Sequence, residues 1–169
     1  MIPQEFFKKY ATYAESAQVA FGVPASITLA QGALESAWGE SGLTKNANNF
    51  FGIKDFPNDE WHAEQYVAYT QEYAQGGYYS LQQPFRKYKD AQQSFNDHAY
   101  FLQKNSRYHK LVSLKVTDYI GWAKGLQSAG YATDPTYSSK LINLVVKYNL
   151  TKYDVEGELK KKLNSSLSA

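Results

Sequence analysis

The stretch Gln31–Gly42, QGALESAWGESG, decides how this chain is read. It places a glutamate, Glu35, in the last turn of a small, apolar helical run, one turn before a tryptophan. Gly39 and Gly42 then end the helix. Upstream, Pro24 opens it, and Ile27, Ala30, Leu34 and Ala37 form an apolar stripe at steps of three, four and three. Gln31, Glu35 and Trp38 fall on a neighbouring face. A helix C-terminus carries partial negative charge, which disfavours a carboxylate there by tenths of a kcal/mol to about 1 kcal/mol. Ala33, Leu34, Ala37 and Trp38 add partial desolvation, which favours the protonated form. Both effects push the pKa of Glu35 upward, the direction a general acid requires.

On the N-terminal side, Pro3 is placed like the first residue of a helix, and Phe6, Phe7, Tyr10, Tyr13, Ala14, Ala17 and Phe21 recur at helical spacing up to Gly22. On the C-terminal side, NANNFFGIKD (residues 46–55) reads as a loop. Then QYVAYTQEY alternates, with Tyr66, Ala68, Thr70 and Glu72 on one face and Val67, Tyr69, Gln71 and Tyr73 on the other. Gln75-Gly76-Gly77 is a hairpin signal, and Tyr78 to Tyr88 is the returning strand, interrupted at Pro84. Asp90 caps a third helix carrying Ala91, Phe95, His98 and Leu102. A short helical piece follows near Tyr108 to Leu114. Thr117 or Asp118 starts a further helix, closed by Gly130. Asp134-Pro135 opens the last, with Tyr137, Leu141, Leu144, Val145 and Tyr148 as its buried stripe. Beyond Asp154 the chain is polar and low in aromatics, which predicts a frayed tail or linker. The expected organisation is one folded unit over residues 1–153 and a polar tail over 154–169. It is an α+β architecture, a mainly helical lobe with a small β-hairpin lobe, and the two lobes form a cleft.

Composition narrows the function classes. The 169 residues fit one domain with a sizeable core. A formal charge of +2 is too small for the basic stripe a nucleic-acid binder needs. No glycine-rich phosphate loop is present. With no cysteine there is no disulfide or thiol chemistry. His62, His98 and His109 lack zinc-site spacing, so no metal and no organic cofactor is expected. No apolar run approaches the ~20 residues of a membrane span. The N-terminal MIPQEFFKKYA lacks the pattern of a signal peptide, so either a leader has been removed or the protein leaves the cytoplasm by another route. Fifteen tyrosines suit the flat faces of sugars, although they also pack cores.

Glycoside hydrolysis uses one carboxylic acid to protonate the leaving oxygen and usually a second carboxylate across the sugar. Glu35 suits the first role by its environment, and Glu72 suits the second by lying on the opposing lobe. Glu40, Asp55, Glu60, Glu64, Asp97 and Asp134 compete for that position.

PASITLAQGALESAWGESGLTKNANNFFGIK, followed in order by TQEY, PFRKY, SFNDHAYFL and GYATDPTYSSKLINLV, resembles the glucosaminidase family of peptidoglycan hydrolases (glycoside hydrolase family 73), which includes flagellar and autolytic members. The resemblance covers Phe6 to Asn149. It implies a lysozyme-like α+β fold and hydrolysis of N-acetylglucosaminyl linkages in peptidoglycan glycan strands, at the cell wall. By the same resemblance Glu35 occupies the general-acid position, Glu72 the second carboxylate position, and Tyr131 that of a tyrosine beside the acid. Asn48, Asn49 and Phe50 are expected to line the glycan groove, with Trp38 packing under Glu35 and Arg86, Asp97 and His98 serving structure. Ala37 stands where the family often has glycine. A muramidase or lytic transglycosylase on the same fold, and a catalytically silent wall-binding module, are the alternatives.

Overall fold

The computed structural model describes residues 1–168, the side chains of Glu72 and Ser168 excepted. Helix α1 (Pro3–Phe21) ends at Gly22, whose left-handed backbone (φ 77°) lets its N–H reach back to Gln18 O. Helix α2 (Ala25–Glu35) follows at once and forms the centre of the molecule. Every residue from 25 to 33 is buried, which is why this stretch is nearly all small or aliphatic. Around it pack α1, α5 (Tyr119–Ser128), α6 (Tyr137–Lys147) and α7 (Thr151–Ser168). Helix α4 (Ala91–Lys104), capped by Asp90, closes the far side of α1. Phe6, Tyr10, Phe50 and Phe95 form one aromatic cluster where α1, α4 and the loop before the hairpin meet.

The first N–H groups of α2 lack a cap of their own, because Pro24 has no side-chain acceptor. Two distant residues supply one. Gln18 Oε1 accepts from Ala25 N at 2.8 Å, and Asp154 accepts from Ser26 N at 2.7 Å and from Ser26 Oγ at 2.6 Å. Asp154 belongs to α7, so the expected frayed tail is instead helical. Its first turns dock on α1: Asp154 and Gly157 are buried, Gln18 donates to Asp154 O, and Lys160 pairs with Glu15. A Cβ at position 157 would collide with the Gln18 amide, so this glycine marks a close approach between helices. Residues 161–167 are exposed, in keeping with their polarity.

Two further local differences bear on Glu35. The helix read as running past Trp38 stops at Glu35. Gly42, read as a stop, instead opens the short helix α3 (Gly42–Ala47), because the Ser41 hydroxyl accepts from Thr44 N at 3.1 Å.

Strands β1 (Gln65–Ala74) and β2 (Gly77–Arg86) pair antiparallel from Gln65↔Arg86 to Ala74↔Gly77. Gln75 and Gly76 make the two-residue turn with φ 52° and 79°, the left-handed pair that tight hairpins use. Pro84 does not interrupt β2. Its carbonyl accepts from Asp55 N on the outer edge, so its nitrogen also points away from β1 and no ladder bond is lost. Lys54 bridges Phe85 on that same edge, which ties the hairpin base to the preceding loop.

Candidate active site

After Glu35 the chain turns through left-handed backbone at Ala37, Trp38 and Gly39, with φ of 49°, 59° and 82°. Such a conformation costs an ordinary residue about 1–2 kcal/mol, and it persists only where the surroundings fix it. Trp38 N–H returns to Ala33 O at 2.9 Å, and Gly39 N–H donates to Ser36 Oγ at 2.8 Å. The Trp38 indole meets Phe6, Phe7 and Tyr148 edge-on, at centroid distances of 5.8, 5.4 and 6.2 Å. Aromatic packing thus ends α2 abruptly and leaves Glu35 on the wall of an open groove of about 420 Å³. Phe51, Lys54, Phe56, Phe101, Tyr131 and Thr133 are among its other walls.

Glu35 presents an exposed surface to that groove, yet its pKa is raised by desolvation. The two facts are compatible. Accessible surface counts the open side, whereas solvation of an ion depends on several layers of water, which the protein around it displaces. Opposing the rise, Tyr137 donates its hydroxyl hydrogen to Glu35 Oε1 at 3.3 Å.

Tyr137 is itself held. Gln31, one turn before Glu35 on α2, donates from Nε2 to the Tyr137 oxygen at 3.0 Å. His98 Nε2 lies 2.9 Å from Gln31 Oε1. A carbonyl oxygen only accepts, so the His98 hydrogen sits on Nε2 and the donors run in one direction, His98 to Gln31 to Tyr137 to Glu35. Burial pushes the His98 pKa down to about 3, so its ring is neutral, and it stacks on Phe51 at 3.9 Å. Neither Gln31 nor Tyr137 was singled out from sequence as a site residue. The spacing of Gln31, four residues before Glu35, was the available signal; Tyr137 carried none beyond its helical stripe.

Tyr131 lines the groove half-buried, stacked on Tyr137 at 5.8 Å and 15° between planes, and burial raises its pKa. Glu35 and Tyr131 are therefore brought together. The backbone of Glu72 pairs with Tyr79 near the hairpin tip. It lies on the strand face shared by Tyr66 and Phe85, six residues out from Tyr66, or about 20 Å at ~3.3 Å per residue. The Glu72 side chain lies outside the described residues.

Asn48, Asn49 and Phe50, expected along the groove, have other duties. Asn49 is buried, with Nδ2 donating to Ile53 O at 3.0 Å and Arg86 O at 2.9 Å, while Oδ1 accepts from Ile53 N at 3.2 Å. Asn48 caps α3 in left-handed backbone (φ 51°) and donates to Tyr88 O at 3.0 Å. Phe50 is buried among Tyr10 and Phe95. Buried, and with both amide hydrogens and its oxygen already bonded to backbone, Asn49 is out of reach of a sugar. Asn49 ties the loop to the end of β2, Asn48 ties it to Tyr88 just beyond that strand, and Phe50 anchors it between α1 and α4; the residues after them, Phe51 to Lys54, line the groove. Arg86 pairs with Asp97 at 2.8 Å and Asp59 at 3.0 Å, the structural role expected of it.

The sequence profile of the glucosaminidase family, described as mannosyl-glycoprotein endo-beta-N-acetylglucosaminidase, matches residues 8–150. The chain belongs to the glucosaminidase family. It is 36% identical over 149 residues to the peptidoglycan hydrolase FlgJ of Vibrio parahaemolyticus, covering 86% of this chain and 47% of that protein. It is 35% identical over 154 residues to the exo-glucosaminidase LytG of Bacillus subtilis, covering 89% of this chain and 53% of LytG. A probable N-acetylmuramidase of Lactococcus lactis is 34% identical over 155 residues, which is 88% of this chain and 34% of that protein. This glucosaminidase chain thus spans about half the length, or less, of the curated relatives it matches. The catalytic domain of the autolysin Auto from Listeria monocytogenes superposes with a TM-score of 0.77 at 34% identity, covering 89% of this chain and 86% of that one. The lysozyme-like α+β fold expected from the sequence is the observed one.

Proposed function

We propose that this glucosaminidase chain is the catalytic unit of a peptidoglycan hydrolase that cuts the β-1,4 bond after N-acetylglucosamine, acting at the cell wall. The observation that carries this reading is Glu35, the last residue of a helix buried from Ala25 to Ala33, held on the wall of an open groove with its pKa raised. One oxygen accepts from Tyr137. A carboxylic acid so placed protonates a glycosidic oxygen, a contribution of typically 10²–10⁴-fold.

In this reading Tyr131, stacked behind the acid, orients the substrate acetamido group or a water. Glu72 supplies the second carboxylate when the hairpin bends over the bound strand, as the base of an inverting attack or in support of the acetamido oxygen in a substrate-assisted one. The acid, a carboxylate and water balance the reaction. The unit includes the docked first turns of α7. The choice of bond follows the family description, and the relative named as an N-acetylmuramidase supports the alternative cut on the same fold.

Digestion of purified peptidoglycan, read by mass spectrometry, tests this. New reducing ends at N-acetylglucosamine made by the wild type and absent with Glu35→Gln are expected. Ends at N-acetylmuramic acid or its anhydro form would assign the other bond. A wild-type rate in Glu35→Gln would end the acid assignment, and no products from either protein would leave a wall-binding module.

A further inference from the structure

A second depression, of about 360 Å³, opens beside the Glu35 groove, and Phe101 contributes to the wall of both. Their chemistries differ. The charged side chains lining the groove are Glu35 and Lys54, whereas the neighbouring depression is lined by Asp59, Glu60, Arg86, Asp97 and Lys104. Three of those five are already matched, since Arg86 bridges Asp59 and Asp97. The other two are exposed, one at each part of Tyr100. Glu60 accepts the Tyr100 hydroxyl hydrogen at 2.8 Å, and Lys104 Nζ lies 5.8 Å from the Tyr100 ring centroid. Among the described residues neither has an ion-pair partner.

A chain of β-1,4-linked N-acetylated sugars whose lactyl groups are amide-linked carries no charge, so it offers an exposed acid and an exposed base no ion-pair partner. The branch of the same polymer does. Each muramic acid carries a short peptide on its lactyl group, and that peptide bears carboxylates together with the amine of a diamino acid. A glycan strand seated in the groove would carry such a branch past Phe101 into the charged depression. We infer that this depression is a subsite for the peptide stem, with Glu60 receiving the ammonium and Lys104 a carboxylate. Tyr100 and Trp61, which is itself 5.5 Å from the Arg86 guanidinium, flank the peptide backbone. The inference rests on the peptidoglycan reading of the Glu35 groove. It adds that the enzyme prefers strands that still carry their peptides.

The test compares the wild type with a Glu60→Gln, Lys104→Met double variant on two substrates. One is solubilised glycan strands with peptides attached. The other is the same strands stripped by an N-acetylmuramoyl-L-alanine amidase, with the lactyl carboxylates this exposes converted to methylamides so that no charge is added. Contacts between exposed charges are individually weak, so the wild-type kcat/KM on intact strands should exceed that on stripped strands by roughly 3–20-fold, falling with added salt. In the variant the ratio should collapse toward one. A wild-type ratio of one, or a variant that keeps the wild-type ratio, overturns the inference. If the wild type cuts neither substrate, the functional reading fails instead, and the subsite is read separately. A free tetrapeptide stem titrated into the wild type should move the Trp61 indole resonance, with no such movement in the variant. An unmoved resonance in the wild type likewise overturns it.

Discussion

Replacing Tyr137 by phenylalanine separates a scaffold role from a part in the chemistry. The hydroxyl does two jobs. It accepts from Gln31 Nε2 at 3.0 Å inside the core, and it donates to Glu35 Oε1 at 3.3 Å at the groove wall. Without it, the Gln31 amide hydrogen is buried and unpaired, which costs about 1–3 kcal/mol. For a domain of this length that is about 2–4 °C of Tm per kcal/mol, or roughly 2–12 °C in all. The second job predicts a different signal. A donor to the carboxylate stabilises its ionised form, so its removal raises the Glu35 pKa further. The bond is long and faces solvent, so about 0.7–1.4 kcal/mol is its share, or roughly half to one pKa unit.

A general acid works only while protonated, and the rate falls as pH rises through its pKa. In Tyr137→Phe the alkaline limb of kcat/KM should therefore move to higher pH by that half to one unit. The assay is a pH series on solubilised glycan strands at constant ionic strength, with reducing ends as readout and calorimetry alongside. Tyr131→Phe is the control. Tyr131 stacks on Tyr137 and has no hydrogen bond to Glu35 in the structure, so its loss should change rate without moving the limb. A Tyr137→Phe limb that stays in place, or moves to lower pH, refutes the reasoning even if Tm falls as expected.

Ala37→Gly should stabilise the fold by about 0.5–1 kcal/mol, since Ala37 holds φ 49° and glycine adopts that region without strain; a lower urea midpoint would count against it. Burial raises the Asp154 pKa to about 6 from 3.8. A raised carboxylate pKa means that its ionisation weakens the fold, so its favourable share is complete below pH ~4 and lost as pH rises through 6. Asp154→Asn keeps the acceptor for Ser26 N without the charge, while its amide N–H donates to Ser26 Oγ in place of accepting from it; it should be more stable than the wild type at pH 7–8 by about 1–3 kcal/mol, with a flatter profile between pH 4 and 7, and equal slopes would show that Asp154 stays ionised throughout. Ending the chain after Lys162 should preserve thermal stability and turnover. Ending it after Asp154 removes the Gly157–Gln18 approach and the Lys160–Glu15 pair and should lower Tm by several degrees, so unchanged melting would make α7 dispensable.

The periodicities that the sequence displays openly are those the structure keeps. Ile27, Ala30 and Leu34 face the interior as their spacing required, and the alternation from Tyr66 to Tyr73 became β1 with its turn at Gln75-Gly76. What stayed hidden depends on contacts distant in sequence. Nothing local announces that Ala37 and Trp38 turn left-handed, because the cause is the fit of the indole against Phe6, Phe7 and Tyr148. Helix α7 was concealed by its polarity. Val155, Leu159, Leu163 and Leu167 do recur every four residues, but they lie exposed and the buried docking positions are Asp154 and Gly157, an acid and a glycine that carry no apolar signal. Asn49 and Phe50 were misplaced because an amide beside aromatics suits a sugar and a buried turn equally well. Only the positions of Ile53 O and Arg86 O decide between them.

These misplacements share a cause that bears on how the site works. An acid is useful only if its carboxylate is held to within a fraction of an ångström of the productive position, and residues on rigid elements achieve this better than residues on loops. Helix α2 is such an element, 11 residues long and so about 16 Å from end to end. Its N-terminus is fixed by Gln18 and Asp154, its sides are buried against four helices, and its C-terminal exit is fixed by Trp38. Glu35 is therefore positioned by Gln18, Asp154 and Trp38, none of which lines the groove. The residues around it accordingly serve the scaffold: Gln31 orders Tyr137, Asn49 ties the loop to β2, and the Phe51 ring packs on α2 at Gly32. A strong sequence signature can thus surround a single reacting group, because each of these contacts removes one way for that group to move.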